Sequence, residues 1–272
     1  MQISKALFIF LLAVIFTVSS SFRSANERLD LKIIWVDDFS SDEKEKLQMW
    51  IYGISEAVAN TLGKYPFEVN IYLHRSTGNE PVPWAHTSRT GEQAVHFHVN
   101  PSFSLQNFQE DWTAAHEISH LSIPFVGKEN MWFSEGYASF WQWQILANQG
   151  VFTVEEIRAK YEAKLNKIAV YYQTEDTFVT TNQNLKKQHN YPAVYWGGAC
   201  YFFKADERLR EQHNTSMQEV ITEYQHAGRM RDESLEALVL SLDKISASKV
   251  FSTLLLEFKN GTGKQAIEGA SF

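Results

Sequence analysis

With 272 residues, 44% of them apolar and 14% aromatic, the chain can bury a sizeable core and lies far from the composition of disordered proteins. Its net charge of −7, from 25 Lys plus Arg against 32 Asp plus Glu, lacks the basic surplus of nucleic-acid binders and excludes nucleic acid as a partner. A single cysteine, Cys200, excludes an intrachain disulfide, and its setting in GGACYFF reads as a small buried hydrophobe rather than a nucleophile.

Residues 1–21 carry one lysine, an apolar run from Ala6 to Val18 and then Ser19, Ser20 and Ser21, the layout of a secretory signal peptide cleaved near Ser20 or Ser21. This predicts an exported protein, periplasmic, secreted or anchored facing outward. The run is short for a membrane span, so an uncleaved anchor is the one route to a membrane that the sequence offers.

After it, LDLKIIWVDDF (29–39) reads as a strand, and SSDEKEKLQMWIYGISEAVANTLGKY (40–65) as an amphipathic helix with Leu47, Ile51, Ile54, Ala57 and Leu62 near helical spacing. FEVNIYLHRS (67–76) and AVHFHVNP (94–101) alternate like half-buried strands, the second taken as the edge of the sheet. The Gly- and Pro-containing stretch between them is predicted as a loop. From residue 102 the periodicity is helical, over 105–123, 135–148, 153–172, 193–212, 216–227, 234–245 and 248–258. The polar run 172–192 is unpatterned and is a candidate cover for a cleft. The layout is an α/β lobe, residues 22–101, followed by a helical lobe, residues 102–272.

HEISH (116–120) begins the chemistry. Residues four apart on a helix share a face with Cβ atoms about 5–6 Å apart, so His116 and His120 can turn two imidazole nitrogens to one point. Glu117 lies about 100° round the helix, aside from that point but able to reach a water there, which is the place of a general base. A catalytic zinc takes three protein ligands and keeps one position open. Glu135, in SEGYASFWQW with Ser134 as its N-cap, is the candidate third ligand, because an antiparallel second helix brings its start back beside the histidines.

HEISH, MWFSEGYASFW (131–141) and YWGGACYFFKADERLRE (195–211) together resemble the gluzincin metallopeptidases, specifically the aminopeptidase-N and glycyl-aminopeptidase branches. The resemblance follows the order of elements over residues 30–240 and is specific over these three motifs. It implies an α+β, thermolysin-like zincin catalytic domain over residues 22–272, a small mixed sheet packed on helices with the active-site cleft between them. It also implies one zinc per chain held by His116, His120 and Glu135, Glu117 as general base, Tyr195 as oxyanion donor, and peptide or protein substrates. The chain departs from the family in a shorter gap between His120 and Glu135 and in lacking both the G-x-M-E-N segment that anchors a substrate amine and the N-terminal β-domain. Cleavage within chains, or a selectivity unlike that of the aminopeptidases, is therefore expected, with Glu92 the first candidate should an amine be bound. A catalytically inactive gluzincin-like envelope protein is the alternative, and the intact Glu117 argues against it.

Other residues have plainer readings. His96 and His98 share a strand face and could hold a second metal, but the sequence offers no third ligand, so a solvated pair is expected. His189, His226 and Tyr191 stand behind Tyr195 as oxyanion donors. Trp132, Phe133, Trp141 and Trp143 are expected in the core.

Overall fold

The computed structural model describes residues 28–229 and 234–272. The expected signal segment, residues 1–21, lies outside the described residues. Among those described, no helix is long and apolar enough to cross a membrane.

The first half builds a four-stranded sheet with one long helix on it. Strand β1 (Leu31–Trp35) leads into α1 (Ser41–Leu62), which returns the chain to β2 (Val69–Arg75). β3 (Trp84–Ser88) and β4 (Ala94–Val99) follow. The order is β1-β2-β4-β3, with β1, β2 and β4 parallel and β3 antiparallel on the edge. Ser40 caps α1 reciprocally with Glu43, and this supports the predicted start. Alternation decides the faces: Val69, Ile71, Leu73, Val95, Phe97 and Val99 are buried on the α1 side, where Trp50 packs edge-on against Phe97 at 5.4 Å.

β3 corrects the loop expected there, and it makes β3, not β4, the edge of the sheet. Its five residues WAHTS bury no side chain fully, so the strand had no apolar alternation to announce it.

The second half is helical: α2 (Leu105–Glu110), α3 (Thr113–Ser119) with a 3-10 turn at His120–Ser122, and α4 (Met131–Asn148). There follow α5 (Val154–Ala169), α6 (Phe178–Lys187), α7 (Tyr191–His213), α8 (Met217–His226), α9 (Leu235–Ile245), α10 (Val250–Asn260) and α11 (Gly263–Ile267). The single helix expected over 105–123 is broken at Asp111, whose backbone is extended and whose carboxylate accepts from the Thr113 N–H. α4 begins at Met131, so Glu135 lies in its second turn and Ser134 is a buried helical residue rather than a cap. The polar run 172–192 contains α6, which buries Phe178, Thr181, Asn182 and Leu185; it packs beside α7 and α10 and does not line the cleft.

α4 runs through the middle of the helical half, with Trp132, Phe133, Trp141 and Trp143 buried as expected, and Tyr137 and Phe140 buried beside them. Its principal partner is α7, and glycines set their separation. A Cβ at Gly198 would fall 1.8 Å from the Trp132 carbonyl oxygen, and one at Gly136 2.2 Å from the Gly198 backbone. Only bare backbone allows this approach. It brings Glu135, beside Gly136, and Tyr195, one turn before Gly198, to the same cleft.

Candidate active site

The cleft lies between the edge strand β3 and helices α3, α4 and α7, and encloses about 440 Å³. That is within the range of small-molecule and peptide sites. His116, Glu117, His120, Glu135 and Tyr195 all line it, together with Trp84, His86, Thr87, Arg89 and Trp112.

α3 is fixed from behind by Ala114, Ala115, Ile118 and Leu121, which are fully buried, so its histidine face is turned to the cleft. One ligand-capable atom from each of His116, His120 and Glu135 lies within 4.8 Å of the others. His116 Nε2 and His120 Nε2 stand 3.2 and 3.5 Å from the same carboxylate oxygen, Oε2 of Glu135. Both rings are nearly inaccessible, and they meet edge to face at 4.9 Å.

The chemistry of this donor set fits a cation. His116 Nδ1 donates to Gln142 Oε1 at 3.0 Å, an arrangement that leaves the Nε2 lone pair facing a carboxylate oxygen. Electron-rich atoms so placed repel unless a proton or a metal stands between them. Two ligands about 2.05 Å from a tetrahedral zinc are about 3.3 Å apart, which brackets with the observed separations. Two imidazoles and a carboxylate are a set that zinc accepts. Charge is tightly coupled here. Burial would raise the Glu135 carboxyl, but the His120 and His116 rings outweigh it and hold the group well below the usual carboxylate range. Burial depresses His120, whereas Glu135 overcomes burial at His116 and raises it.

Glu117 has a holder of its own. The Thr87 hydroxyl on β3 lies 2.7 Å from Glu117 Oε2 and 2.7 Å from the Glu117 carbonyl oxygen, so it can donate to either. Sequence reasoning passed over Thr87 because the strand carrying it was unrecognised. Arg89, just beyond β3, donates from Nη1 to the carbonyls of His120 at 3.2 Å and Pro124 at 3.4 Å, which pins the end of the HEISH segment. Burial pulls its guanidinium down to about 10.

Tyr195, in the second turn of α7, faces the cleft with its ring 6.2 Å from that of His116. Burial, and then the Glu135 and Glu117 carboxylates, push its phenol well above the ordinary tyrosine range, so it remains a hydrogen-bond donor. The other candidate donors stand elsewhere: His189 and Tyr191 bond one another at 3.3 Å, and His226 lies in a polar groove between α7 and α8. Glu92 also lies outside the cleft, accepting from Asn70 and Tyr72 at 3.1 Å each. His96 and His98 are on the open face of the sheet, behind the edge strand.

No family model matches the chain, and no curated protein matches it in sequence. Solved structures do match in fold. An M1 zinc metallopeptidase from Deinococcus radiodurans aligns over 89% of this chain and 50% of its own, at 12% identity and a TM-score of 0.51. An aminopeptidase N family protein from Idiomarina loihiensis aligns over 85% of this chain and 45% of its own, at 14% identity and a TM-score of 0.55. The chain thus spans about half the length of the structures it matches. At such identities the likeness concerns the fold alone: this chain has the α+β, zincin-like fold of these M1 metallopeptidase structures.

Proposed function

We propose that this chain is a zinc-dependent hydrolase of peptide bonds, working in an exported compartment and cutting within chains. The observation that carries the reading is the convergence of His116, His120 and Glu135 beside a separately held Glu117 in one cleft. A structural metal site has no use for that fourth group.

His116, His120 and Glu135 would hold the metal, with Gln142 orienting the His116 ring. Zinc bound there supplies Lewis acidity, lowering the pKa of water from about 15.7 toward 7 and polarising a carbonyl. Glu117 takes the proton of the attacking water and returns it to the leaving amine. Thr87 keeps the accepting carboxylate turned to the cleft, and its one proton can move to the Glu117 carbonyl when the carboxylate becomes neutral. The Tyr195 hydroxyl donates to the carbonyl oxygen as negative charge develops on it. β3 offers an unpaired strand edge along the cleft, along which an extended peptide can add as a further strand. Glu92, the first candidate should an amine be bound, lies outside the cleft, which favours internal cleavage over release of single N-terminal residues.

The test incubates the zinc-loaded full chain with a proteome-derived peptide library and maps cuts by mass spectrometry, alongside Glu117→Gln. Internal cuts made by the parent and absent from the variant are expected. A zinc-saturated parent that cuts nothing sinks the reading, and predominant loss of single N-terminal residues overturns the internal preference.

A further inference from the structure

Beyond the groups already assigned, the cleft contains one strong cation. Among the described residues, Arg89 is the only lysine or arginine that lines it, in company with the carboxylates Glu80, Glu117 and Glu135. Residues two apart on an extended chain share a face, so Arg89, just beyond β3, is turned to α3 as Thr87 is. The contacts agree. Thr87 holds Glu117 within the HEISH segment, and Arg89 Nη1 donates to the His120 and Pro124 carbonyls at its end.

These two bonds, with the guanidinium carbon 5.6 Å over the Phe125 ring, fix the fork in place and use only one of its three nitrogens. Among the described residues Nε and Nη2 have no hydrogen-bond partner, and neither is sealed from solvent. Glu135 and Glu117 act on the guanidinium through their field and do not bond to it. A cation that served only to neutralise one of them would be paired with it, as Arg75 is with Glu43 and Arg208 with Glu257. Arg89 instead keeps free the side of the fork, Nε with Nη2, that grips a carboxylate through two parallel hydrogen bonds.

Strand spacing places such a carboxylate relative to the chemistry. A peptide added along β3 rises about 3.4 Å per residue, so the step from Thr87 to Arg89 corresponds to about two of its residues.

We propose that Arg89 is a specificity-determining residue that binds, through Nε and Nη2, a substrate carboxylate within about two residues of the bond that is cut. This rests on the proposed peptidase reading and gives it a substrate class, peptides with an Asp or Glu side chain or a free chain end at that place.

Binding is measured by fluorescence anisotropy on the zinc-loaded full chain carrying Glu117→Gln, so that cleavage does not deplete the probe. Three labelled decapeptide pools, otherwise free of acidic residues, are compared: a single Glu with an amidated end, a single Gln with an amidated end, and a single Gln with a free end. The Glu pool should bind about 10–100-fold tighter than the amidated Gln pool, as expected of hydrogen bonds to a charged group. The same advantage in the free-end pool alone assigns the carboxylate to the terminus. Adding Arg89→Gln should erase the advantage, and Arg89→Lys, which keeps the charge without the fork, should shrink it. A merely structural Arg89 would weaken all pools alike, so an advantage that survives both substitutions overturns the proposal, as does parity of the three pools before them. Digestion of the peptide library by the parent separates the two readings. Carboxylate pools bound while no peptide is cut sinks the peptidase and leaves the carboxylate site standing, whereas cuts without a carboxylate nearby sink the carboxylate site alone.

Discussion

The Nε2 atom of His116 stands 3.2 Å from Oε2 of Glu135, although the two residues come from different helices and neither is charge-neutral company for the other without a proton or a metal. Zinc retention should therefore depend on both. Replacing His116, His120 or Glu135 by Ala should abolish binding at the cleft, and Gln142→Ala, which frees the His116 ring, should weaken it by about 10–100-fold. Competition with a chelator of known affinity measures this. Cleft zinc held with parental affinity in the three alanine variants would refute the ligand set.

Thr87 should matter to turnover and not to metal. A hydrogen bond to a charged group is worth about 1.5–3 kcal/mol, so Thr87→Val should lower kcat by about 10–100-fold at unchanged zinc content and little-changed KM. Thr87→Ser keeps the hydroxyl and should restore most of the rate. If Ser fails to rescue, or if KM alone moves, the hydroxyl does not position Glu117.

At Gly198 two effects oppose each other. Alanine inside a helix is favoured over glycine by about 0.8–1 kcal/mol, but the added methyl would sit 1.8 Å from the Trp132 carbonyl oxygen. Overpacking of this kind costs about 1–3 kcal/mol or more, and backbone cannot swing aside as a side chain can. Gly198→Ala should lower the denaturation midpoint; an unchanged or raised midpoint would show that α4 and α7 separate freely.

Glu43 provides a pH signature outside the cleft. It accepts from the guanidinium of Arg75, whose backbone N–H and other side-chain nitrogens bind Asp37 and the Asp38 carbonyl. The Arg75 hydrogen bond, then the Ser40 N–H, pull the Glu43 carboxyl down to about 2 from 4.5. A folded value below the unfolded one means the contribution is complete above pH 4.5 and fades as the pH falls toward 2. As a surface pair screened by solvent it contributes only modestly. Glu43→Gln should therefore be less stable than the parent at pH 7 and converge with it under acid. Equal stability of the two at pH 7 would contradict the pairing.

Much of the site was legible because it is local. HEISH fixes two rings and a carboxylate by helical spacing alone, and Glu135 follows from the next helix in the chain. What sequence could not supply came from pairing across distance. β3 shows no buried alternation, so Thr87, the edge of the cleft and the cross-strand neighbours of His96 and His98 were all hidden with it. His74 and His86 become their partners only through the parallel and antiparallel registers of β4, which no short-range pattern encodes. Helix ends were misplaced for a similar reason: the Ser134 hydroxyl resembles a cap, but packing of Trp132 and Phe133 starts α4 earlier.

Tyr195 should act on the transition state. Its phenol stands in the cleft, kept protonated by burial and by the Glu135 and Glu117 carboxylates, while His189, Tyr191 and His226 stand outside. A neutral donor interacts weakly with a substrate carbonyl and strongly with the anionic oxygen that replaces it, so its effect falls on the transition state. Tyr195→Phe removes only the hydroxyl, whereas the ring that packs beside His116 remains. Zinc content and stability should hold, KM should change little, and kcat should fall by about 10²–10³, the usual loss for one such donor. The kinetics also discriminate between roles. A tyrosine that merely binds substrate would raise KM at constant kcat, and one that only packs would leave both unchanged, so either pattern in a folded, zinc-loaded variant removes Tyr195 from the oxyanion role.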